Sequence, residues 1–184
     1  MRLGLKLLIE PINKKEKLIY WRRPVYNCFK LNTDGSFNNL NAGCGGIIRD
    51  HKGMVVMAYA GSSPGTNALQ AEIDNLLYGI QLCLSLGINN IWVEVDALLL
   101  IQYVNGYSMN NPNIFYKIWD IKNCLSRINF SISHILHEGN AVADGLAKLG
   151  CAMNDFLLFN DNSLPREIKG LTKLDRLGLP YMRI

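Results

Sequence analysis

The chain has 184 residues, 49% of them apolar, which is enough for one sizeable core and too few for two full domains. No apolar run approaches the roughly 20 residues a membrane-spanning helix needs, and the opening MRLGLKLLIE is broken by Lys6 without a small-residue cleavage site, so a soluble, unexported chain is expected. The net charge of +4 is uneven: residues 1–29 hold seven cations and two acids, residues 30–150 seven and nine, and residues 151–184 five and four. That balance excludes a polyanion binder with a basic stripe through its body.

Any grip on nucleic acid must therefore come from few contacts, from the basic KKEK…WRR flank, or from bound metal ions; a solvated leader is an equal reading of that flank. The five cysteines (Cys28, Cys44, Cys83, Cys124, Cys151) are scattered and odd in number. They have neither zinc-site spacing nor the density of a disulfide framework, and read as buried thiols of an intracellular, reducing compartment, nuclear or cytoplasmic.

In chain order, NCFKLNTDGSF reads as a strand, NAGCGGIIRD as a second and GMVVMAYAG as a third, the last two joined by a tight DHKG turn. SSPGT breaks the pattern. Residues 67–86 then place Leu69, Ile73, Leu76, Leu77, Ile80, Cys83 and Leu84 at helical spacing, and Gly87 stops the helix. NNIWVEVD is a fourth strand, ALLLIQYVNG a short helix, and PNIFYKIWDIKNCLS a helix opened by Pro112. INFSISHIL alternates as a fifth strand, and NAVADGLAKLG is a last helix closed by Gly150. The order βββαβααβα predicts an α/β fold, a mixed sheet covered by helices. The expected organisation is a basic leader (1–28), one domain (29–150) and a C-terminal tail without its own core (151–184).

The acids can be placed on these elements. Asp34 is odd in a strand, where aspartate is depleted, and shares a face with Asn32 and Ser36. Glu72 borders the buried stripe of its helix, whereas Asp74 points to water. Asp96 ends the fourth strand, where it is either a helix cap or part of a site. Asn140 and Asp144 lie four apart on one helix face, among small residues that permit close packing. Four carboxylates from four elements meet only with compensation, because two unit charges about 4 Å apart repel by roughly 4 kcal/mol at an effective dielectric near 20. All-oxygen ligands point to magnesium, or manganese, and to in-line phosphodiester hydrolysis by two ions.

KLNTDGS, GCGGIIRD, the QAE of the long helix, VEVDALL and SHILHEGNAVADGLAKLG resemble, in order, the type 1 ribonuclease H-like domain of the plant retroelement kind, over residues 29–150. The resemblance implies a five-stranded mixed sheet flanked by helices and magnesium-dependent cutting of the RNA strand of RNA–DNA hybrids. It puts the four catalytic, metal-binding acids on Asp34, Glu72, Asp96 and Asp144. Under it Asp34 and Asp144 bind metal, Asp96 bridges two ions and Glu72 holds the second.

His137 stands where this branch carries arginine, and is a candidate accessory group able to titrate near neutral pH; a loop histidine without a role is the alternative. Gly35, Ser36, Gly45, Gly46 and Asn140 are candidates for close approach to the substrate backbone, although strand glycines also mark bulges. Departures from the family are Ala68 and Leu69 in place of a polar pair, a shortened NNLN turn, and no basic insertion after the short second helix. They motivate a second reading: a weakly active or silent module, derived from a retroelement, that binds nucleic acid or a protein. Under either reading a monomer or part of a larger retroelement polyprotein is expected.

Overall fold

The computed structural model describes residues 17–38, 41–109 and 111–183. Most of the basic leader and the middle of the NNLN turn lie outside them. The elements, in chain order, are β1 (Lys17–Ile19), β2 (Phe29–Phe37), β3 (Ala42–Arg49), β4 (Val55–Ser63), α1 (Ala68–Ser85), β5 (Asn90–Val95), α2 (Leu98–Val104), α3 (Pro112–Leu125), β6 (Asn129–His134), a 3-10 turn (His137–Asn140), α4 (Ala141–Cys151), β7 (Leu157–Phe159), α5 (Arg166–Leu177) and β8 (Tyr181–Arg183). From β2 to α4 this is the predicted βββαβααβα order.

The local chemistry explains the boundaries. Asp50 accepts from the amides of Lys52 and Met54, and Gly53 adopts φ +76°, so β3 turns tightly into β4. The side chain of Asn67 accepts from the Gln70 amide to start α1, and Gly87 ends it at φ +70°. Gly150 does not close α4, although the sequence pattern predicts a stop there. It lies inside the helix, where an added Cβ would sit 2.5 Å from the Gly61 carbonyl oxygen, so glycine is needed for contact with β4.

The main sheet runs β6-β5-β2-β3-β4-β7, with β2–β3, β3–β4 and β4–β7 antiparallel and β2–β5 and β5–β6 parallel. Neighbouring residues of a strand face opposite layers. Ile48 joins Leu31, Ile73, Leu76, Val93 and Ile121 under α1 and α3, while Ile47 joins Ala58, Val142, Leu146 and Ile168 under α4 and α5. The expected five strands are thus extended to six. The tail supplies β7, which pairs Ala58 with Phe159 and Ala60 with Leu157 and so covers the edge of β4. It also supplies β8, which pairs with β1 in a separate ribbon. Among the described residues no helix is long and apolar enough to cross a membrane, and all five cysteines are free thiols.

Candidate active site

The parallel pairing of β2 with β5 ends at Asn32 opposite Glu94. Two residues further on stand Asp34 and Asp96, beyond the last rung, where the strands no longer fill the space between them. Helix α1 enters from one side of this gap. A Cβ on Gly35 would lie 2.4 Å from the Glu72 amide nitrogen, so the glycine lets α1 press on the strand and deliver the Glu72 carboxylate. Asn75, one turn along, fixes that approach by donating to the carbonyls of Asp34 and Gly45.

Asp34, Glu72 and Asp96 each offer an oxygen within 4.8 Å of the others. Asp34 and Glu72 are buried, at 5% and 8% exposure. Glu72 Oε2 is buried without a hydrogen-bond partner, which is costly for a carboxylate oxygen unless a cation meets it. Burial first, then the charges of Glu72 and Asp96, the hydrogen bond Asp34 shares with Glu72 and the charge of Asp144, hold Asp34 well above the usual carboxylate range. Glu72 is raised by burial and by Asp96, against the opposing effect of its hydrogen bonds with Asp34 and the Gly35 backbone.

Asp96 caps nothing. The residue before α2 is Ala97, without a side-chain cap bond, while Asp96 Oδ2 lies 3.1 Å from His137 Nδ1 and its carbonyl 3.0 Å from His134 Nε2. Asp144 lies outside the three-carboxylate group, in the first turn of α4, with Oδ2 2.7 Å from Lys148 Nζ and Oδ1 3.9 Å from His137 Nε2. The expected quartet is therefore a trio with a fourth acid beside it, and the His137 ring stands between Asp96 and Asp144. Burial would lower the His137 pKa, but the bond to Asp96 and the charges of Asp144, Asp96 and Asp34 outweigh it and raise the pKa.

Other candidates move. Gly45 and Gly46 do not present backbone to a substrate: a Cβ on Gly45 would lie 2.0 Å from the Ala147 nitrogen of α4, and one on Gly46 would meet the Tyr59 ring. Asn140, 1% exposed, is likewise closed off and donates to the Thr33 carbonyl at 2.9 Å. Gly35 and Ser36 stay half-buried beside Asp34. Asp74 does not point to free solvent but pairs with Lys117 of α3, a helix the periodicity of α1 alone could not place. Sequence reasoning also missed Lys148, although its spacing of four from Asp144 signals such a pair.

A hard divalent cation fits this donor set: three converging carboxylates, two of them buried, and an orphaned oxygen, all on oxygen ligands. A family model described as reverse transcriptase-like matches residues 32–150. The chain belongs to that family. Its domain has the type 1 ribonuclease H-like fold, and RNase H1 of Halobacterium salinarum superposes with a TM-score of 0.64 at 22% identity, over 67% of this chain and 96% of that one. LC11-RNase H1 in complex with an RNA/DNA hybrid superposes at 0.62 with 25% identity, over 67% and 96%. A candidate ribonuclease H protein of Arabidopsis thaliana is 28% identical over 176 residues, 89% of this chain. The chain spans 27% of the length of that relative.

Proposed function

We propose that this family member hydrolyses the RNA strand of RNA–DNA hybrids, with magnesium, or manganese, held by Asp34, Glu72 and Asp96 and with Asp144 at the edge of the site. The observation that carries the reading is the convergence of Asp34 from β2, Glu72 from α1 and Asp96 just after β5 around the unpartnered Glu72 oxygen. The fold shared with a protein that was crystallised on an RNA/DNA hybrid supports the substrate class.

Bound divalent ions would supply an activated water and neutralise charge at the leaving oxygen. The chain's own residues do the rest. Asp34, Glu72 and Asp96 present carboxylate oxygens from β2, α1 and the end of β5, and burial of Asp34 and Glu72 limits the access of water to those two. The half-buried backbone at Gly35 and Ser36 borders Asp34, where a sugar-phosphate strand can approach. Recognition of A-form shape and 2′-hydroxyls needs no base-edge reader, in keeping with the lack of a basic body.

The test is cleavage of a labelled hybrid by purified protein. RNA-strand cutting in magnesium, abolished by EDTA and by Asp34→Asn, is expected. A protein that cuts in neither magnesium nor manganese yet shifts the hybrid in a gel would instead be a silent binding module, the reading that the Lys148 pair on Asp144 favours.

A further inference from the structure

Three of the four segments that carry the acids, β2, β5 and the turn before α4, are tied together by one buried amide. Asn32 is 1% exposed and uses all four of its hydrogen-bonding positions. Its Nδ2 donates to Glu94 Oε2 and to Asn140 Oδ1, both at 3.2 Å. Its Oδ1 accepts from Trp21 Nε1 at 2.9 Å and from Arg49 Nη2 at 2.8 Å. The partners belong to four different segments, and three positions bear on the site: Asn32 is two residues before Asp34, Glu94 two before Asp96, and Asn140 four before Asp144.

The network continues outward, beyond the residues that the family match covers. The Arg49 guanidinium stacks 3.7 Å from the Trp21 ring centroid and pairs with Asp175 of α5 at 2.6 Å. Asp175 in turn accepts from the Tyr181 hydroxyl of β8 at 2.7 Å. The Trp21 segment and the tail thus close over the amide that links β2, β5 and the turn before α4.

We infer that Asn32 is a positioning residue for the carboxylate site, and that Trp21 upstream and the α5–β8 tail, through Arg49, hold it in place. The inference rests on the metal-binding reading above. A fully satisfied amide has a single orientation, since any rotation breaks several bonds to buried groups at once. The spacing of Asp34, Asp96 and Asp144 is then set by a link made in the core, before any ion arrives. Groups that orient ligands in this way change metal affinity by about 10–100-fold when removed.

The experiment titrates the full chain with Mn2+ alone, by calorimetry and by loss of the free-ion paramagnetic signal, with folding checked by circular dichroism. Asn32→Leu, of similar volume, should weaken Mn2+ binding by about tenfold or more. Trp21→Phe, which keeps the ring over Arg49 but removes the indole donor, should weaken it several-fold. Ile128→Ala, a core truncation at the start of β6, should lower stability and leave Mn2+ affinity unchanged. Wild-type affinity in both network variants, or an equal loss in Ile128→Ala, overturns the inference and leaves the proposed function standing. A wild-type protein that binds no Mn2+ sinks the metal reading and this inference together. If Asn32→Leu fails to fold, Trp21→Phe alone decides.

Discussion

Arg49 and Asp175, 126 residues apart, form an ion pair of 2.6 Å in which each side chain is 1% exposed. A pair this deep is far more costly to break than to keep, because removal of one partner leaves an uncompensated charge in the core. Asp175→Ala should therefore destabilise the protein by about 3–5 kcal/mol. Thermal unfolding followed by circular dichroism should show a melting temperature lower by roughly 10 °C. A shift within the error of the measurement would mean that water reaches Arg49 and that the tail is only draped over the domain.

Gly45 has no room for a side chain, since α4 crosses it with the Ala147 nitrogen where a Cβ would be. Gly45→Ala should push α4 off β3 and carry Asp144 with it. The expected cost is about 1–3 kcal/mol in urea unfolding. Hybrid cleavage should fall further than the lost stability explains, measured well below the melting point. Unchanged stability would show that the helix can shift freely.

These cases also mark how far the sequence could be read. Alternation and turn residues locate β2 to α4 because those signals are local: Asp50 and Gly53 make their turn without help from elsewhere. Asp34 stood out because a strand offers no reason for a carboxylate, and its company with Glu72 and Asp96 is what the structure brings together. The Arg49–Asp175 pair has no local trace, and β7 and β8, at three residues each, exist only through the strands they pair with. Gly45 and Gly46 were ambiguous in kind, since the same letter serves a crossing helix and a bound ligand. Helical spacing gave Asp144 its face but not its distance across the site, which depends on how the 3-10 turn before α4 is held to β2.

His137 lies with one ring nitrogen 3.1 Å from Asp96 and the other 3.9 Å from Asp144, yet its side chain is 61% exposed. An exposed ring adds little to stability, so His137→Ala should change the unfolding free energy by no more than about 0.5 kcal/mol. Its effect should fall on turnover through the orientation of Asp96, by up to about tenfold, with hybrid binding nearly unchanged. Single-turnover cleavage and a gel-shift titration separate the two. Equal rates for wild type and variant would make it a loop histidine without a role.

Asp34 and Glu72 set an unusual pH dependence for the metal-free protein. Both carboxyls have folded pKa values raised above their unfolded ones, by burial and then by neighbouring acids. Between the unfolded values, about 4, and the higher folded ones, the folded state holds more protons than the unfolded state, so stability falls as pH rises through that window. This is opposite in sign to an ordinary ion-paired aspartate. In EDTA the melting temperature should drop steadily from about pH 5 to pH 8. Asp34→Asn removes one buried charge and should flatten that slope and raise the metal-free melting temperature at pH 8 by a few degrees, about 1 kcal/mol or more. Magnesium should stabilise wild type at pH 8 and have much less effect on the variant. A metal-free protein whose stability rises over this range would show that the carboxylates are not held together in solution.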